Sequence, residues 1–498
     1  MKDARNSLLE MSGAEFRNSG YELVDAIANF IESIRTRPVT RGESSEQIRQ
    51  LLEIKPIPEN GLPPDRILTK AAQLLFEHSL LNGHPRFLGY ITSSAAPLGA
   101  LADLLAAAVN PNAGAQILSP VATEIELQTV NWIANLVGLP STYGGLLVSG
   151  GNMANFTGFL AGRRAKASAH LSEDGLKGIS ENLLVYCSSA THTWIEKAAI
   201  LFGMGKKSIR WIDTNDHNQM DIDKLNNTIQ TDLQEQLKPI MVIGTAGDVS
   251  TGAVDDFNAI AALCKKYNLW FHIDGAYGLP GAAIPALSHL FSGMEEADSL
   301  ALDPHKWLYS PLEAGCVLVK DEENLRASFS SHPAYYNFGD EKDSVHNFYE
   351  YGLQNSRGFR ALKVWICLQQ AGRQGYIQMI SDDIALSRLF AQLADNHPEL
   401  ESVTQNLSIT TLRYIPLQSS GFSMDENFLN QLNEFLLNRL QQKGETFLSN
   451  AVIKGKYCLR GCIVNFRTSE KDIYEIIEII VREGRASFEI LKDLANKQ

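Results

Sequence analysis

Two charged residues stand where buried strands are expected to end. Lys306 follows the apolar run SLAL in ADSLALDPHKW, and Asp274 ends the run LWFHID, 32 residues earlier. A lysine in a partly dry pocket loses proton affinity and becomes a nucleophilic amine that can form a Schiff base. A buried carboxylate needs a cation or hydrogen-bond donors beside it. One right-handed crossover would bring both residues to the same edge of a sheet. The ordinary alternatives are that Lys306 lies on a surface loop and that Asp274 caps a helix.

Two further stretches carry related chemistry. The sequence SGGN at 149–152 follows the run GLLV and precedes an amphipathic helix, so its glycines could let a phosphate approach the free N–H groups of a helix start. His192 follows the run LLVYC and precedes another helix, where it could stack on a flat ligand or merely cap the helix. The small side chain of Ala276 leaves room for a planar group beside Asp274.

These features occur in order along one part of the chain. A phosphate cradle, a stacking imidazole, a carboxylate for a ring nitrogen and a Schiff-base lysine together describe a site for pyridoxal phosphate. Any one of them could be an ordinary strand-to-helix connection. As a set they predict this cofactor, with Lys306 as its covalent anchor, Asp274 at its ring nitrogen and His192 on its ring.

Seven short apolar runs predict the strands that position these side chains. The runs are GLLV (145–148), LLVYC (183–187), SIRWID (208–213), PIMVIG (239–244), LWFHI (269–273), DSLAL (298–302) and GCVLV (315–319). Stretches with helical spacing separate most of them, which predicts an α/β domain built on a large, mostly parallel, seven-stranded sheet. Such sheets bind ligands at the carboxyl ends of their strands.

The flanking sequence predicts two smaller parts. Residues 1–90 read as helices with Pro-rich connections, and YELVDAIANFIESI at 21–34 has the spacing of an amphipathic helix. Residues 371–498 combine helical patterns with the runs ITTLRYIP and YCLRGCIVNF. The predicted division is therefore a helical N-terminal segment (1–90), a large cofactor-binding α/β domain (91–370) and a small C-terminal α+β domain (371–498).

Composition argues against several classes of protein. The 498 residues are 44% hydrophobic and 20% charged with a net charge of -13, whereas nucleic-acid binders usually carry a basic face. No run approaches the roughly 20 apolar residues of a membrane span, and the first residues lack the apolar core of a secretory signal. Six cysteines without a second closely spaced pair do not suggest a metal site. These features predict a cytoplasmic protein with reduced thiols.

Longer motifs resemble the pyridoxal-phosphate-dependent (group II) amino acid decarboxylases, in particular the aromatic-L-amino-acid decarboxylase group. The similar stretches run from EFRNSGYELVDAIANFIESI through HPRFLGYITSS and SPVATEIELQTVNWIANLVGLP to LRGCIVNFRT, nearly the whole chain. The most specific element is HKW, preceded by ADS. The resemblance implies the fold type I of pyridoxal-phosphate-dependent transferases. It also implies a carbon-carbon lyase that converts an L-amino acid, most simply an aromatic one, into an amine and carbon dioxide.

The resemblance assigns roles around the cofactor. It implies that Lys306 anchors the cofactor, that Asp274 pairs with its ring nitrogen and that His192 stacks on its ring. Beside the Ala276 already noted, the further cofactor-binding residues that it implies are Gly151, Asn152, Thr245, Asp303 and His305. Asp303 departs from the asparagine of the animal enzymes, and its negative charge would repel a phosphate unless another group intervenes.

The segment SSHPAYYNFGDEKDS at 330–344 is typical of a loop that closes over a site. By resemblance it carries a tyrosine that returns a proton to carbon as a general acid, with Tyr335 the better match and Tyr336 the alternative. Relatives with phenylalanine there tend towards oxidative deamination, so tyrosine favours simple decarboxylation. Ser356 in SRGFRALKVW occupies a position where plant relatives differ, and serine leans towards phenolic substrates.

The segment GYITSS matches the part of the family that lines the substrate pocket. Tyr90, Ile91 and Ser93 are the candidates there, beside His192, and their apolar or aromatic character suits an aromatic side chain. The resemblance also implies a homodimer with active sites at the interface and intertwined N-terminal helices. The alternative is that residues 1–90 simply cap their own domain.

Other functions stay open on the sequence alone. Arg86 in HPRF could bind the side chain of glutamate or aspartate, although an exposed arginine is the ordinary interpretation. An aromatic aldehyde synthase would release peroxide as well as an aldehyde. A noncatalytic homologue is the alternative from another class, and it need not keep Lys306, Asp274, His192 and Tyr335 together.

Overall fold

The computed structural model of the chain describes residues 7–52, 56–167, 171–178, 182–331, 345–417 and 424–495. Its strands are β1 (Gly144–Val148), β2 (Leu183–Ser188), β3 (Ile209–Ile212), β4 (Lys238–Thr245), β5 (Trp270–Asp274), β6 (Ser299–Leu302), β7 (Gly315–Val319), β8 (Leu400–Asn406), β9 (Ile409–Tyr414), β10 (Ser449–Ile453) and β11 (Lys456–Cys462). Its helices are α1 (Gly13–Ser33), α2 (Ser45–Leu52), α3 (Pro64–His78), α4 (Pro97–Val109), α5 (Pro120–Val137), α6 (Gly151–Lys166), α7 (Leu171–Asp174), α8 (Trp194–Leu201), α9 (Ile222–Gln234), α10 (Phe257–Tyr267), α11 (Glu323–Phe329), α12 (Ala361–Asp395), α13 (Glu426–Lys443) and α14 (Glu470–Ala495).

The seven predicted runs form one sheet, which confirms the predicted α/β class. Its strand order is β1-β7-β6-β5-β4-β2-β3. The pairs from β6 to β3 are parallel, and β7 lies antiparallel between β1 and β6. The strands read as continuous apolar runs because both faces of the sheet are covered. Residues of α5, α9, α10 and α12 pack on one face, and residues of α6, α8 and α11 pack on the other.

The N-terminal helices bury little of their own surface. The predicted amphipathic helix lies within α1, which begins after a capping box formed by Ser12 and Glu15. Phe30 of α1 stacks on Phe76 of α3 with ring centroids 4.5 Å apart. None of the residues of α1, α2 or α3 is buried. These helices therefore keep an apolar surface that this chain does not cover.

The C-terminal part contains a second sheet. Its four strands are antiparallel in the order β10-β11-β9-β8, and α13 and α14 pack against it. The predicted boundary at 370 falls inside α12, which Gly372 interrupts with φ 62° and ψ 173°. The three-part division of the chain stays a prediction.

Two chain-wide observations bear on location and metal binding. Within the described residues, no helix combines the length and the apolar character that crossing a bilayer requires. The described residues also contain no group of three or more potential metal-ligating side chains. All six cysteines are free and buried.

Candidate active site

A cavity of about 400 Å³ lies at one edge of the large sheet. Its lining comes from the segments that follow five strands, as expected for a mostly parallel sheet. Residues 149–153 follow β1, Ala190 and His192 follow β2, residues 247–249 follow β4, Ala276 and Tyr277 follow β5, and Asp303, His305 and Lys306 follow β6. Thr245 and Asp274, the last residues of β4 and β5, also line it.

Lys306 forms an ion pair at the floor of this cavity. Its Nζ atom lies 2.9 Å from Oδ2 of Asp303, whose side chain is 1% exposed. Burial acts to lower the pKa of Lys306, but the charge and hydrogen bond of Asp303 and the charge of Asp274 outweigh it, so the pKa is raised. The lysine is therefore held as an ammonium ion. The sequence analysis expected burial to reduce the proton affinity of this lysine, and the carboxylate of Asp303 acts in the opposite direction.

Asp303 also contacts the start of α6. A Cβ atom on Gly151 would lie 2.6 Å from Oδ2 of Asp303, so the backbone and the carboxylate meet closely there. The other oxygen, Oδ1, is buried and has no hydrogen-bond partner in the described chain. The negative charge of Asp303 is thus paired with Lys306, a contact that the sequence analysis did not foresee.

Asp274 is held by two hydrogen bonds. The indole N–H of Trp194 donates to Oδ2 over 2.7 Å, and the backbone N–H of Ala276 donates to Oδ1 over 3.2 Å. The carboxylate is 7% exposed and lines the cavity. Its cost of burial is therefore met by donors rather than by a contacting cation.

His192 stands beside Asp274 in the cavity lining. Its Nδ1 atom accepts a hydrogen bond from the backbone N–H of Trp194 over 3.3 Å. Loss of hydration lowers the pKa of His192, and the positive charge of Lys306 acts in the same direction against the attraction of Asp274. A neutral ring with its proton on Nε2 follows from this acceptor role.

The helix α6 presents its N-terminus to the same cavity. Its N-cap residue, Gly150, has φ 123°, a value that favours glycine, and no side chain caps the helix. The first N–H groups of a helix have no partner within it and carry a partial positive charge. The segment 149–152 lines the cavity at this helix start, where the anion site that the sequence predicts would lie.

Comparison with known proteins decides the family. A family model described as the pyridoxal-dependent decarboxylase conserved domain matches residues 46–413. The chain belongs to the pyridoxal-dependent decarboxylases.

Individual relatives of this decarboxylase match it over nearly its whole length. An aromatic-L-amino-acid decarboxylase of Bacillus atrophaeus is 34% identical, over 94% of this chain and 95% of the relative. Tyrosine decarboxylase 3 of Petroselinum crispum is 30% identical, over 90% of this chain and 88% of the relative. The solved structure of Oryza sativa TDC with PLP and tryptamine superposes with a TM-score of 0.89 at 25% identity, covering 96% and 99% of the two chains. These findings confirm fold type I, a carboxy-lyase and pyridoxal phosphate as the cofactor.

The decarboxylase has polar atoms that fit such a cofactor. Oγ1 of Thr245 is buried without a hydrogen-bond partner in the described chain, as is Oδ1 of Asp303, and both residues line the cavity. The uncapped start of α6 can receive a phosphate, and Lys306 supplies the amine. The ring of His305 is held at the edge of the cavity, with Nδ1 2.6 Å from the carbonyl oxygen of Ala314.

The predicted substrate residues divide between the cavity and its surroundings. Ile91 lines the cavity. The hydroxyl of Ser93 instead donates to the carbonyl of His305 over 2.8 Å, which supports the lysine-bearing segment from behind. Tyr90 is 56% exposed and packs beside Phe447, away from the cavity lining of this chain.

Two further predicted residues lie outside the described cavity lining. Arg86 is half-buried and ion-paired with Glu475 at 2.9 Å, outside the cavity lining, so it is not the exposed arginine of the ordinary interpretation. Ser356 is exposed and outside the cavity lining. Tyr335 and Tyr336 lie outside the described residues.

Sequence reasoning missed two supporting residues of this decarboxylase. Trp194 contacts Asp274, as described above. Asp383 of α12 accepts hydrogen bonds from Trp307 and Tyr309, which follow Lys306 in the chain, over 2.9 and 2.7 Å. The only sequence signal was the presence of Trp194 and Trp307 next to the candidate site residues, since a buried indole usually finds an acceptor for its N–H.

Proposed function

We propose that the enzyme removes the α-carboxyl group of an aromatic L-amino acid and releases the amine and carbon dioxide. The charge of the cavity carries this proposal. Among its described lining residues Lys306 is the one lysine or arginine, whereas Asp248, Asp274, Asp303 and Glu313 supply four carboxyl groups. Because Lys306 already pairs with Asp303, the described lining offers no further lysine or arginine to bind a side-chain carboxylate, whereas an aromatic side chain needs no such partner. The names of the relatives, a tyrosine decarboxylase among them, support the same class.

The proposed roles of the residues follow from their positions. Pyridoxal phosphate, when bound, supplies an electron-accepting ring for the pair released as the bond to the carboxyl group breaks. Asp274 would keep the ring nitrogen protonated, and His192 would hold the ring against Ala276. Lys306 would exchange with the substrate amine and accept protons from it. Gly151, Asn152 and Thr245 would hold the phosphate and the polar groups of the ring.

Arg86 gives no support to an acidic substrate. Its guanidinium is engaged by Glu475 of α14 and is not among the residues that line the cavity. An arginine that already has a carboxylate partner would have to break that pair before binding a substrate carboxylate. A glutamate or aspartate decarboxylase is therefore the weaker proposal.

The test is a substrate panel assayed for three products at once. The purified protein with pyridoxal phosphate is incubated with tyrosine, tryptophan, phenylalanine, DOPA, glutamate and aspartate, and amine, aldehyde and peroxide are measured. We expect amine from one or more aromatic substrates and at least tenfold lower rates with the acidic ones. Faster turnover of glutamate or aspartate would overturn the proposal. Lys306→Ala should abolish turnover and the visible absorbance of the holoenzyme.

Aldehyde formation is the second candidate, and a relative named phenylacetaldehyde synthase from a Rosa hybrid cultivar, 26% identical over 95% of this chain, motivates it. We propose that Tyr335 directs the enzyme to the amine by returning a proton to carbon. The same panel run on Tyr335→Phe and Tyr336→Phe should show lower amine output, with aldehyde and peroxide, in the first variant alone. Equal effects of the two substitutions would assign the proton to another donor.

We further propose a homodimer whose interface includes the N-terminal helices. Among the described residues, 21 of the 35 exposed large hydrophobic side chains lie between Leu8 and Val121. On α4, Leu101 and Leu105 are 52% and 53% exposed. A soluble monomer rarely leaves so concentrated an apolar surface open. The segment before α4 also bonds to the lysine-bearing loop, from Ala96 N–H to the carbonyl of Tyr309 over 2.9 Å, so the interface would adjoin the active site.

Light scattering coupled to size-exclusion chromatography tests the dimer. We expect the wild-type protein to elute with twice the mass of one chain. Leu101→Asp with Leu105→Asp should produce monomers, whereas Leu233→Asp, at a side chain 45% exposed on α9, should not. A wild-type monomer at micromolar concentration would refute the proposal.

We also propose a cytoplasmic location, because the six free and buried thiols suit a reducing compartment. Fractionation of cells that express the untagged protein, followed by immunodetection, tests this location. Recovery from a secreted or membrane fraction would contradict it.

A further inference from the structure

We propose that Trp194 is a positioning residue that sets both ring-facing groups of the active site, through its indole on Asp274 and through its backbone on His192. The proposal rests on the cofactor of the family and not on the choice of substrate. It concerns how the two groups are held before any substrate arrives.

The first contact is between two buried side chains. The indole N–H donates to Oδ2 of Asp274 over 2.7 Å, and the side chain of Trp194 is fully buried. A hydrogen bond to an ionised carboxylate is about twice as strong as one between neutral groups. With Oδ1 held by the N–H of Ala276, both oxygens have a fixed donor. The carboxylate therefore cannot rotate freely, and its remaining lone pairs keep one direction towards the cavity.

The second contact fixes the imidazole. The backbone N–H of Trp194 donates to Nδ1 of His192 over 3.3 Å. This bond sets the plane of the ring and leaves the proton on Nε2. Because it comes from the main chain, it persists when the side chain of Trp194 is changed. The two contacts can therefore be tested separately.

Trp194 joins two strand ends that are not neighbours. Asp274 ends β5 and His192 follows β2, and β4 lies between these strands in the sheet. The indole reaches across that gap from the first turn of α8. The distance between the carboxylate and the imidazole is thus set by one residue that contacts both, rather than by the sheet alone.

The indole is itself held in place by aromatic neighbours. The ring of His272 meets it edge to face, with centroids 5.8 Å apart and planes at 78°. Both nitrogens of His272 are engaged, Nε2 with Asn155 and Nδ1 with Ser299, each over 2.8 Å. Phe159 packs on another side at 6.3 Å. A residue so enclosed has a single orientation, which is what positioning a reactive group requires.

The experiment compares Trp194→Phe with Trp270→Phe. Trp270 is also buried and donates its indole N–H over 2.8 Å, but to the neutral hydroxyl of Ser299. We expect Trp194→Phe to lower kcat at saturating cofactor about tenfold or more, with KM within about twofold, and to raise the Kd for pyridoxal phosphate at least threefold. Trp270→Phe should change kcat and Kd by less than about twofold.

A double-mutant cycle on cofactor affinity separates positioning from packing. In an Asp274→Asn background, Trp194→Phe should raise the Kd for pyridoxal phosphate by less than about twofold further, since the charged acceptor is gone. An equal fold-change in both backgrounds would show a packing effect and overturn the proposal, as would an unchanged kcat and Kd in Trp194→Phe alone.

A second substitution covers the case in which Trp194→Phe fails to fold. Benzothienylalanine, introduced at position 194, keeps the shape of the indole and replaces its N–H by sulfur, so it should reproduce the loss in kcat and Kd. Normal kcat and Kd with this analogue would refute the proposal. Cofactor binding and amine release by the wild-type enzyme are measured first. A wild type that binds pyridoxal phosphate without releasing aromatic amines contradicts the proposed function alone.

Discussion

The ion pair between Asp303 and Lys306 predicts how the enzyme acquires its cofactor. Lys306 must lose a proton before its amine can react with an aldehyde, and Asp303 opposes that loss. At 2.9 Å and an effective dielectric constant of about 20, Coulomb attraction between two unit charges is about 6 kcal/mol, an upper bound for the pair. A tenfold change in rate needs about 1.4 kcal/mol. Even a quarter of this attraction therefore matters to the rate.

We expect Asp303→Asn to combine with pyridoxal phosphate about tenfold faster than the wild type at pH 7. The substitution removes the charge that raises the pKa of Lys306, so burial acts to lower that pKa without this opposition. In the wild type, the rate should rise with pH towards the raised pKa of the lysine. In Asp303→Asn the same rise should occur at lower pH. Removing a negative charge beside the phosphate site acts in the same direction.

Stopped-flow absorbance measures this reaction on protein dialysed free of cofactor, from pH 6 to pH 9. Glu313→Gln is the matched control, because Glu313 lines the same cavity but pairs with Arg360 at 3.1 Å rather than with Lys306. Its profile should follow that of the wild type. Coincident profiles for Asp303→Asn and the wild type would refute the reasoning, and an equal gain in Glu313→Gln would assign the effect to the general charge of the cavity.

Two other predictions concern buried charges that support the site. Arg357→Met should destabilise the protein by about 3–5 kcal/mol in urea or thermal unfolding, because it leaves the fully buried carboxylate of Glu126 without its charged partner. The control Lys206→Met removes an exposed ion pair with Glu196 and should cost less than about 1 kcal/mol. Similar losses of stability in the two variants would contradict this prediction. Burial raises the pKa of the Asp383 carboxyl group to about 7. The folded protein therefore keeps a proton on this group that the unfolded chain loses above about pH 4. The stability of the folded state should consequently fall as the pH rises from 4 to 7. In Asp383→Asn, the melting temperature measured by scanning fluorimetry should decrease less between pH 4 and pH 7 than in the wild type. An equal decrease in both proteins would contradict this prediction.

Much of the fold could be predicted because buried parallel strands leave a direct signal. Most of the seven runs are apolar along nearly their whole length, and the run SIRWID, which forms the edge strand β3, is the most polar of them. The site followed from the same signal, since its residues were sought immediately after the runs. The pair of Asp303 and Lys306 was also within reach, because the two residues are three positions apart in DPHK.

Other features could not be read from the chain. The partner of Arg86 is 389 residues away, and no local pattern indicates Glu475. The hydrogen bond from Trp194 to Asp274 depends on the position of α8, which follows β2, relative to the end of β5. Such contacts arise from the placement of whole elements, and local sequence patterns do not specify that placement.

The antiparallel strand β7 has a consequence for synthesis of the enzyme. The strand β1, which leads into the start of α6, is at the edge of the sheet and pairs with β7, whose residues come about 170 positions later. During translation, β1 and the start of α6 that follows it are therefore synthesised before β7, and five other strands are made in between. Addition of one residue takes about 0.05–0.2 s, so this interval lasts about 10–30 s. The nascent chain can gain a complete cofactor site only after Val319 has emerged from the exit tunnel.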